Sequence, residues 1–251
     1  MIGERYLHAA AAMLALRHGV IVPHKPSVVR EVLGLARSYW VPSDWLHLQL
    51  EADDVWLRVN GRHRQTDVRR LFFAPGEIEG REKAIDTSPK RAFIDEIARG
   101  LPLEQTGMAQ RIMAGESVMG RRATPGVRDK ALDKIPLTSL EDLRLYYERV
   151  QGLIEIIRAN GVRPVREINP DDPYVRSGKE TDIGLAVLPD GSLRMFRKGR
   201  HRLLVARVLG VEYVPCTPTL VSADWVRKHS GSSPPTLRRA AGAIHEYLSS
   251  F

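Results

Sequence analysis

LRMFRKGRHRLLVARVLGVEYVPC, residues 193–216, decides the fold. A short strand, Leu193 to Phe196, leads through Gly199-Arg200-His201-Arg202 into a nearly all-apolar run of Leu203, Leu204, Val205, Ala206, Val208 and Leu209. That pattern predicts strand, tight turn and buried helix, with Gly210 as the helix stop before a strand from Glu212 to Thr217. A helix N-terminus offers unpaired backbone N–H groups and the positive end of the macrodipole, which together attract anions. Two arginines and a histidine at that end add charge-assisted donors, so Gly199, Arg200, His201 and Arg202 are the candidate phosphate-binding residues.

Upstream, Leu143, Tyr146, Tyr147, Val150, Leu153, Ile154 and Ile157 fall at helical spacing, with Ser139 as the N-cap and Asn160-Gly161 as the stop. Ile183 to Leu188, the turn Pro189-Asp190-Gly191, and Leu193 to Phe196 then form a β-hairpin, because Asp-Gly tolerates the positive φ of a tight turn. The order is helix, strands, hairpin, glycine turn, buried helix, strand.

YERVQGLIEIIRANGVRPV followed by LAVLPDGSLRMFRKGRHRLLVARVLGVEYVPC resembles the core of the ParB/sulfiredoxin superfamily. The shared elements are Gly161-Val162 after a helix, the Asp190-Gly191 hairpin, the Gly199 to Arg202 turn, and Ala206 through Pro215; the match spans residues 138–225. The resemblance implies binding of nucleotide phosphates (CTP, ATP or ADP) at the G-x-H-R turn. It does not choose among the superfamily's chemistries, which include CTP-binding partition proteins, sulfiredoxins and a free serine kinase. Where sulfiredoxins carry the reacting cysteine this chain has Arg200, and its single cysteine, Cys216, lies in a strand, so sulfinic acid reduction is not expected. With only a short remainder after Thr217, the helix-turn-helix and dimerisation module of a partition protein are not expected.

A phosphoryl-transfer reading needs a base for an acceptor hydroxyl and carboxylates for Mg²⁺. Glu141 and Asp142, at the start of the long helix, are the candidate catalytic residues, and they serve equally as first-turn acids complementing the helix dipole. Asp171, Asp172, Glu180 and Asp182 form a second acidic set that either closes over the site or stays a solvated loop. His201 contacts phosphate or caps the turn. Arg202 has the stronger claim, since its guanidinium grips a phosphate through two parallel hydrogen bonds.

With 251 residues, 43% of them hydrophobic, the chain is long enough for one sizeable core and a smaller lobe. Its formal charge of +8 points to anionic partners, nucleotide or nucleic acid, although the arginines are scattered and form no dense tract. One cysteine makes no internal disulfide, and the eight histidines show no ligand spacing, so no protein-bound metal is expected beyond Mg²⁺ brought by a nucleotide. The expected compartment is the cytoplasm, without a membrane partner. MIGERYLHAAAAMLALRHG, residues 1–19, reads as an amphipathic helix packed on the domain rather than a cleaved signal, because Glu4 offsets the early arginine and Arg17-His18-Gly19 closes the run.

In the middle of the chain, Val55 to Val59 reads as a strand, Ala92 to Arg99 and Gly107 to Met113 as helices, and Gly115 to Asp133 as a basic loop near the phosphate site. The second GRHR, Gly61 to Arg64, reads as a basic surface loop because no buried helix follows it. Trp40, Trp45 and Trp56 are expected in a core or interface, with base stacking as the alternative.

The expected architecture is α/β (α+β): a ParB/sulfiredoxin-like mixed sheet with helices at 138–225, a mixed, mostly helical lobe at 1–137, and a linker with a short helix at 226–251. The expected function is nucleotide (ATP or CTP) binding with Mg²⁺, for phosphoryl transfer to a hydroxyl acceptor or for NTP hydrolysis. The alternative is a non-catalytic nucleic-acid-binding or regulatory protein.

Overall fold

The computed structural model describes residues 2–59, 62–65, 67–116, 137, 139–168, 182–231 and 234–251. It is an α/β protein. The chain divides into two compact units: Met1–Ile85 with Arg163–Arg200 and Glu212–Phe251, and Asp86–Val162 with His201–Val211.

The first unit holds an eight-stranded mixed sheet of β1 (Tyr39–Pro42), β2 (Leu48–Val59), β3 (Arg62–Gln65), β4 (Phe73–Ala74), β5 (Glu77–Ala84), β6 (Ile183–Val187), β7 (Leu193–Phe196) and β8 (Tyr213–Ser222). Its order is β1-β8-β6-β7-β2-β3, with β4 on β8 and β5 on β2. The parallel pairs β6·β8 and β2·β7 join strands far apart in sequence, whereas β6 and β7 form the expected antiparallel hairpin, Leu185 facing Met195. Gly191, at φ 88°, makes that hairpin's turn. Every residue of β6 is buried and β8 is buried from Val214 to Ser222, so both faces of the sheet centre are covered.

β8 runs five residues beyond the strand end expected at Thr217. Pro218 breaks a strand only where its missing N–H is needed. Here the β6·β8 register shifts between Leu185 and Ala186, opposite Pro218 and Leu220, and the pairing resumes at Leu220 and Val221. Of Gly61 to Arg64, expected as a basic surface loop, Arg62 to Arg64 belong instead to the edge strand Arg62–Gln65, paired antiparallel with β2, Trp56 facing Gln65 and Arg58 facing His63. Long-range pairing overrides the polar local sequence there, since an edge strand tolerates charge. Leu50, Leu57, Val68, Leu71, Ala186, Phe196 and Leu220 belong to one buried apolar cluster of this unit.

Helices α1 (Ile2–His18) and α2 (Pro26–Val32) pack on each other, α1 also on β4 and α2 on β8. Further along the unit come α6 (Val165–Ile168), α8 (Ala223–His229) and α9 (Leu237–Leu248), with α8 packed on β8 and α9 on β1. No described helix is long and apolar enough to cross a membrane.

The second unit is helical among the described residues: α3 (Pro89–Ala98), α4 (Gly107–Met113), α5 (Leu140–Asn160) and, from His201 on, α7 (Arg200–Val208). α5 buries Leu143, Tyr146, Val150, Ile154 and Ile157, the heptad-like stripe of the sequence, and α3 and α4 pack on it. Ser139 caps α5 by accepting a hydrogen bond from the Asp142 N–H at 3.1 Å. Much of the basic loop expected at Gly115 to Asp133 lies outside the described residues.

Candidate phosphate-binding turn

β7 ends at Phe196 and α7 begins at Arg200, so the turn between them is three residues, Arg197 to Gly199. Gly199 sits at φ 85°, and a Cβ there would stand 2.7 Å from both Cα and Cγ1 of Ile183. Two constraints therefore demand glycine: the left-handed backbone and the direct approach to β6. Lys198 closes the turn by accepting a hydrogen bond from the Gly184 N–H at 3.2 Å. The sequence expected the turn at Gly199 to Arg202, whereas the structure turns at Arg197 to Gly199 and begins the helix at Arg200; the reason Gly199 is needed, contact with a strand sixteen positions earlier, was not visible in it.

Arg200 and Arg202, both half-buried, occupy the first and third positions of α7, in the turn where backbone N–H groups have no helical acceptors. His201 lies between them and is 6% exposed. Its Nε2 is in a hydrogen bond with the Tyr146 hydroxyl at 2.9 Å, and the two rings meet edge to face with centroids 5.6 Å apart. Tyr146 in turn stacks on Phe93, and the Lys90 ammonium lies 5.6 Å from the Tyr146 ring centre. One ring nitrogen of His201 is thus committed to fixing α7 on α5 within the helical unit. Tyr146 appeared in the sequence only as part of an apolar stripe; nothing in its spacing marked it as the histidine's partner.

Glu141 is exposed on the first turn of α5. Asp142 is half-buried, and its Oδ2 accepts a hydrogen bond from the Ser139 hydroxyl at 2.9 Å, a reciprocal capping arrangement. Asp142 precedes Tyr146 by four residues and shares its helix face, whereas Glu141 precedes it by five and points about 140° away around the axis. The helix phase thus places Asp142 on the side of α5 that meets His201.

Of the second acidic set, Asp171, Asp172 and Glu180 lie outside the described residues. Asp182 is 5% exposed and is occupied structurally: Oδ1 accepts the Val165 N–H at 2.8 Å and Oδ2 accepts the Ser38 hydroxyl. Among the described residues no three His, Cys, Asp or Glu side chains cluster as a metal cage.

Three of the four tryptophans, expected in a core or interface, are on the surface: Trp40, Trp45 and Trp56 are 49%, 48% and 41% exposed, and only Trp225 is buried. Strand alternation explains two of them, since Trp40 and Trp56 sit between buried neighbours on β1 and β2 and must face outward. Cys216, in β8, is fully buried. The sheet unit also contains an open cavity of about 550 Å³ lined by Arg17, His18, Arg58, Glu77, Asp224 and Arg227. Two of its arginines are paired within it, Arg227 with Asp224 and Arg58 with Glu77.

Compared with protein-family models, with curated proteins and with solved structures, the chain matches none, so the functional reading rests on the chemistry of the turn itself.

Proposed function

We propose that the chain binds the phosphates of a nucleotide, ATP or CTP, at Gly199 to Arg202, and uses it for phosphoryl transfer to a hydroxyl acceptor or for hydrolysis. The observation that carries this is the glycine turn: a positive-φ Gly199 pressed on Ile183 delivers the chain into α7 with arginines at its first and third positions. Phosphate oxygens accept hydrogen bonds from the first backbone N–H groups of α7 and from the Arg202 guanidinium. His201 holds α7 in place through Tyr146, and Asp142 or Glu141 takes the proton of the attacking hydroxyl. Mg²⁺, held by the phosphates, would supply charge neutralisation.

The test is a binding titration of ATP and CTP with Mg²⁺, followed by a product assay with and without candidate hydroxyl acceptors. Saturable binding and acceptor-stimulated turnover support the proposal; no binding of either nucleotide overturns it. A second reading, single-stranded nucleic-acid binding, is favoured by the formal charge of +8 together with the exposed Trp40 and Trp56. A steep salt dependence of binding, without nucleotide turnover, would select it.

A further inference from the structure

We infer that Arg30, Arg166 and Arg197 form a second anion site at the N-terminal end of β6, one that takes a phosphate group bearing two or more negative charges. Three tethers bring them there. Arg166 is on α6, whose first N–H (Val165) bonds Asp182, the residue before β6. Arg197 is in the turn whose next residue, Lys198, accepts from the Gly184 N–H. Arg30 donates from Nη1 to the Pro218 carbonyl at 3.3 Å, and Pro218 faces Leu185 across the β6·β8 ladder. Arg30, more than a hundred positions before the other two, is thus tethered beside the same N-terminal half of β6.

Burying a cation among cations is unfavourable unless an anion joins them. Arg30 is only 7% exposed, and burial first, then the charges of Arg197 and Arg166, pull its pKa down to about 10. Among the described residues none of the three makes an ion pair with a carboxylate. The acids that act on them are committed elsewhere: Glu31 pairs with Arg5, and Asp67 with Arg69 at 2.6 Å. Arg197 is, among the described residues, the one non-glycine at positive φ, 76°. Such backbone strain collects at ligand clamps. Here it turns the side chain so that Nη1 reaches the Arg69 carbonyl, at 3.3 Å.

Because Gly199 packs on Ile183, the phosphate turn begins at this same strand end. The site therefore suits the further phosphate groups of a polyphosphate chain, and that identity of the ligand rests on the proposed reading of the turn; the anion site does not. Arg30 is placed to supply a rigid buried fork and the two exposed arginines to close on the ligand.

Inorganic tripolyphosphate and, separately, ATP are titrated calorimetrically into the full chain and its variants. Arg166→Gln and Arg197→Gly are each expected to weaken tripolyphosphate binding about tenfold, since each removes a charge-assisted contact. Arg197→Gly suits the positive φ and so keeps the fold. Arg144→Gln, which removes the same charge from an exposed residue of α5 paired with Glu104, is expected to leave binding unchanged. Wild-type affinity in both site variants, or an equal loss in Arg144→Gln, overturns the site. If ATP fails to bind while tripolyphosphate binding depends on Arg166 and Arg197, the site stands and the nucleotide reading falls. If ATP binding depends on Arg202 while Arg166→Gln and Arg197→Gly change nothing, the turn stands and this site falls.

Discussion

The Tyr146 hydroxyl and the His201 Nε2 lie 2.9 Å apart, joining the second turn of α5 to the first turn of α7 within the helical unit. Both side chains are buried, Tyr146 fully and His201 to within 6% exposure. The pair therefore fixes the direction of α7, and with it the aim of Arg202. Tyr146→Phe removes the hydroxyl alone and leaves the imidazole in place. It is expected to cost about 1–2 kcal/mol in urea unfolding, as for a buried polar group losing its partner, and to weaken nucleotide binding severalfold. Unchanged stability would show that the hydrogen bond contributes nothing to seating α7.

Gly199→Ala is expected to be worse than an ordinary surface change. The added Cβ meets the β6 backbone at 2.7 Å and the residue must hold φ 85°. A cost of about 1–3 kcal/mol or more follows from the strained backbone alone, read as a lowered melting temperature. A variant as stable as wild type would mean the turn adopts another path.

Of the two acidic candidates, the geometry distinguishes them by helix phase. Asp142→Asn is expected to lower kcat at least tenfold with little change in nucleotide affinity, since a general base acts mainly in the transition state. Glu141→Gln is expected to lower it less, because Glu141 faces away from the Tyr146 side of α5. Wild-type kcat in both variants would remove a carboxylate base on α5.

His24 gives the protein an acid-sensitive hinge in its stability. Its Nδ1–H donates to the Val22 carbonyl at 2.8 Å and its Nε2 accepts the Phe72 N–H at 2.7 Å, which fixes the neutral ring. Burial, the dominant cause, holds its pKa below the ordinary 6.5. The unfolded chain thus binds a proton before the folded one does, so His24 contributes full stability above pH 6.5 and loses it as pH falls toward the folded value. The urea midpoint of wild type is expected to drop between pH 7.5 and 5, and that of His24→Asn to drop less; parallel curves would contradict this.

What was legible in the sequence was local. α5 with its Ser139 cap, the Asp190-Gly191 hairpin and the start of α7 follow from 3.6- and 2-residue periods and from turn chemistry. What was not legible depends on distant partners: the edge pairing that makes Arg62–Gln65 a strand, the bulge that carries β8 past Pro218, and the outward pleat of Trp40 and Trp56. The same holds for the candidate site. Gly199 to Arg202 announces itself as a contiguous motif, but Tyr146 reaches His201 across 55 positions, and the segments of Arg30, Arg166 and Arg197 reach β6 and β8 through three separate hydrogen bonds. No periodicity encodes such meetings.

The central claim, a phosphate cradle at Gly199 to Arg202, is tested most directly by calorimetric titration of ATP and CTP into Arg202→Ala. A half-buried guanidinium at the third position of α7 gives a charge-assisted phosphate contact worth about 1.5–3 kcal/mol, so the loss of affinity is expected to exceed tenfold while the circular dichroism and melting temperature stay at wild type. Unchanged nucleotide affinity in the folded variant would contradict it.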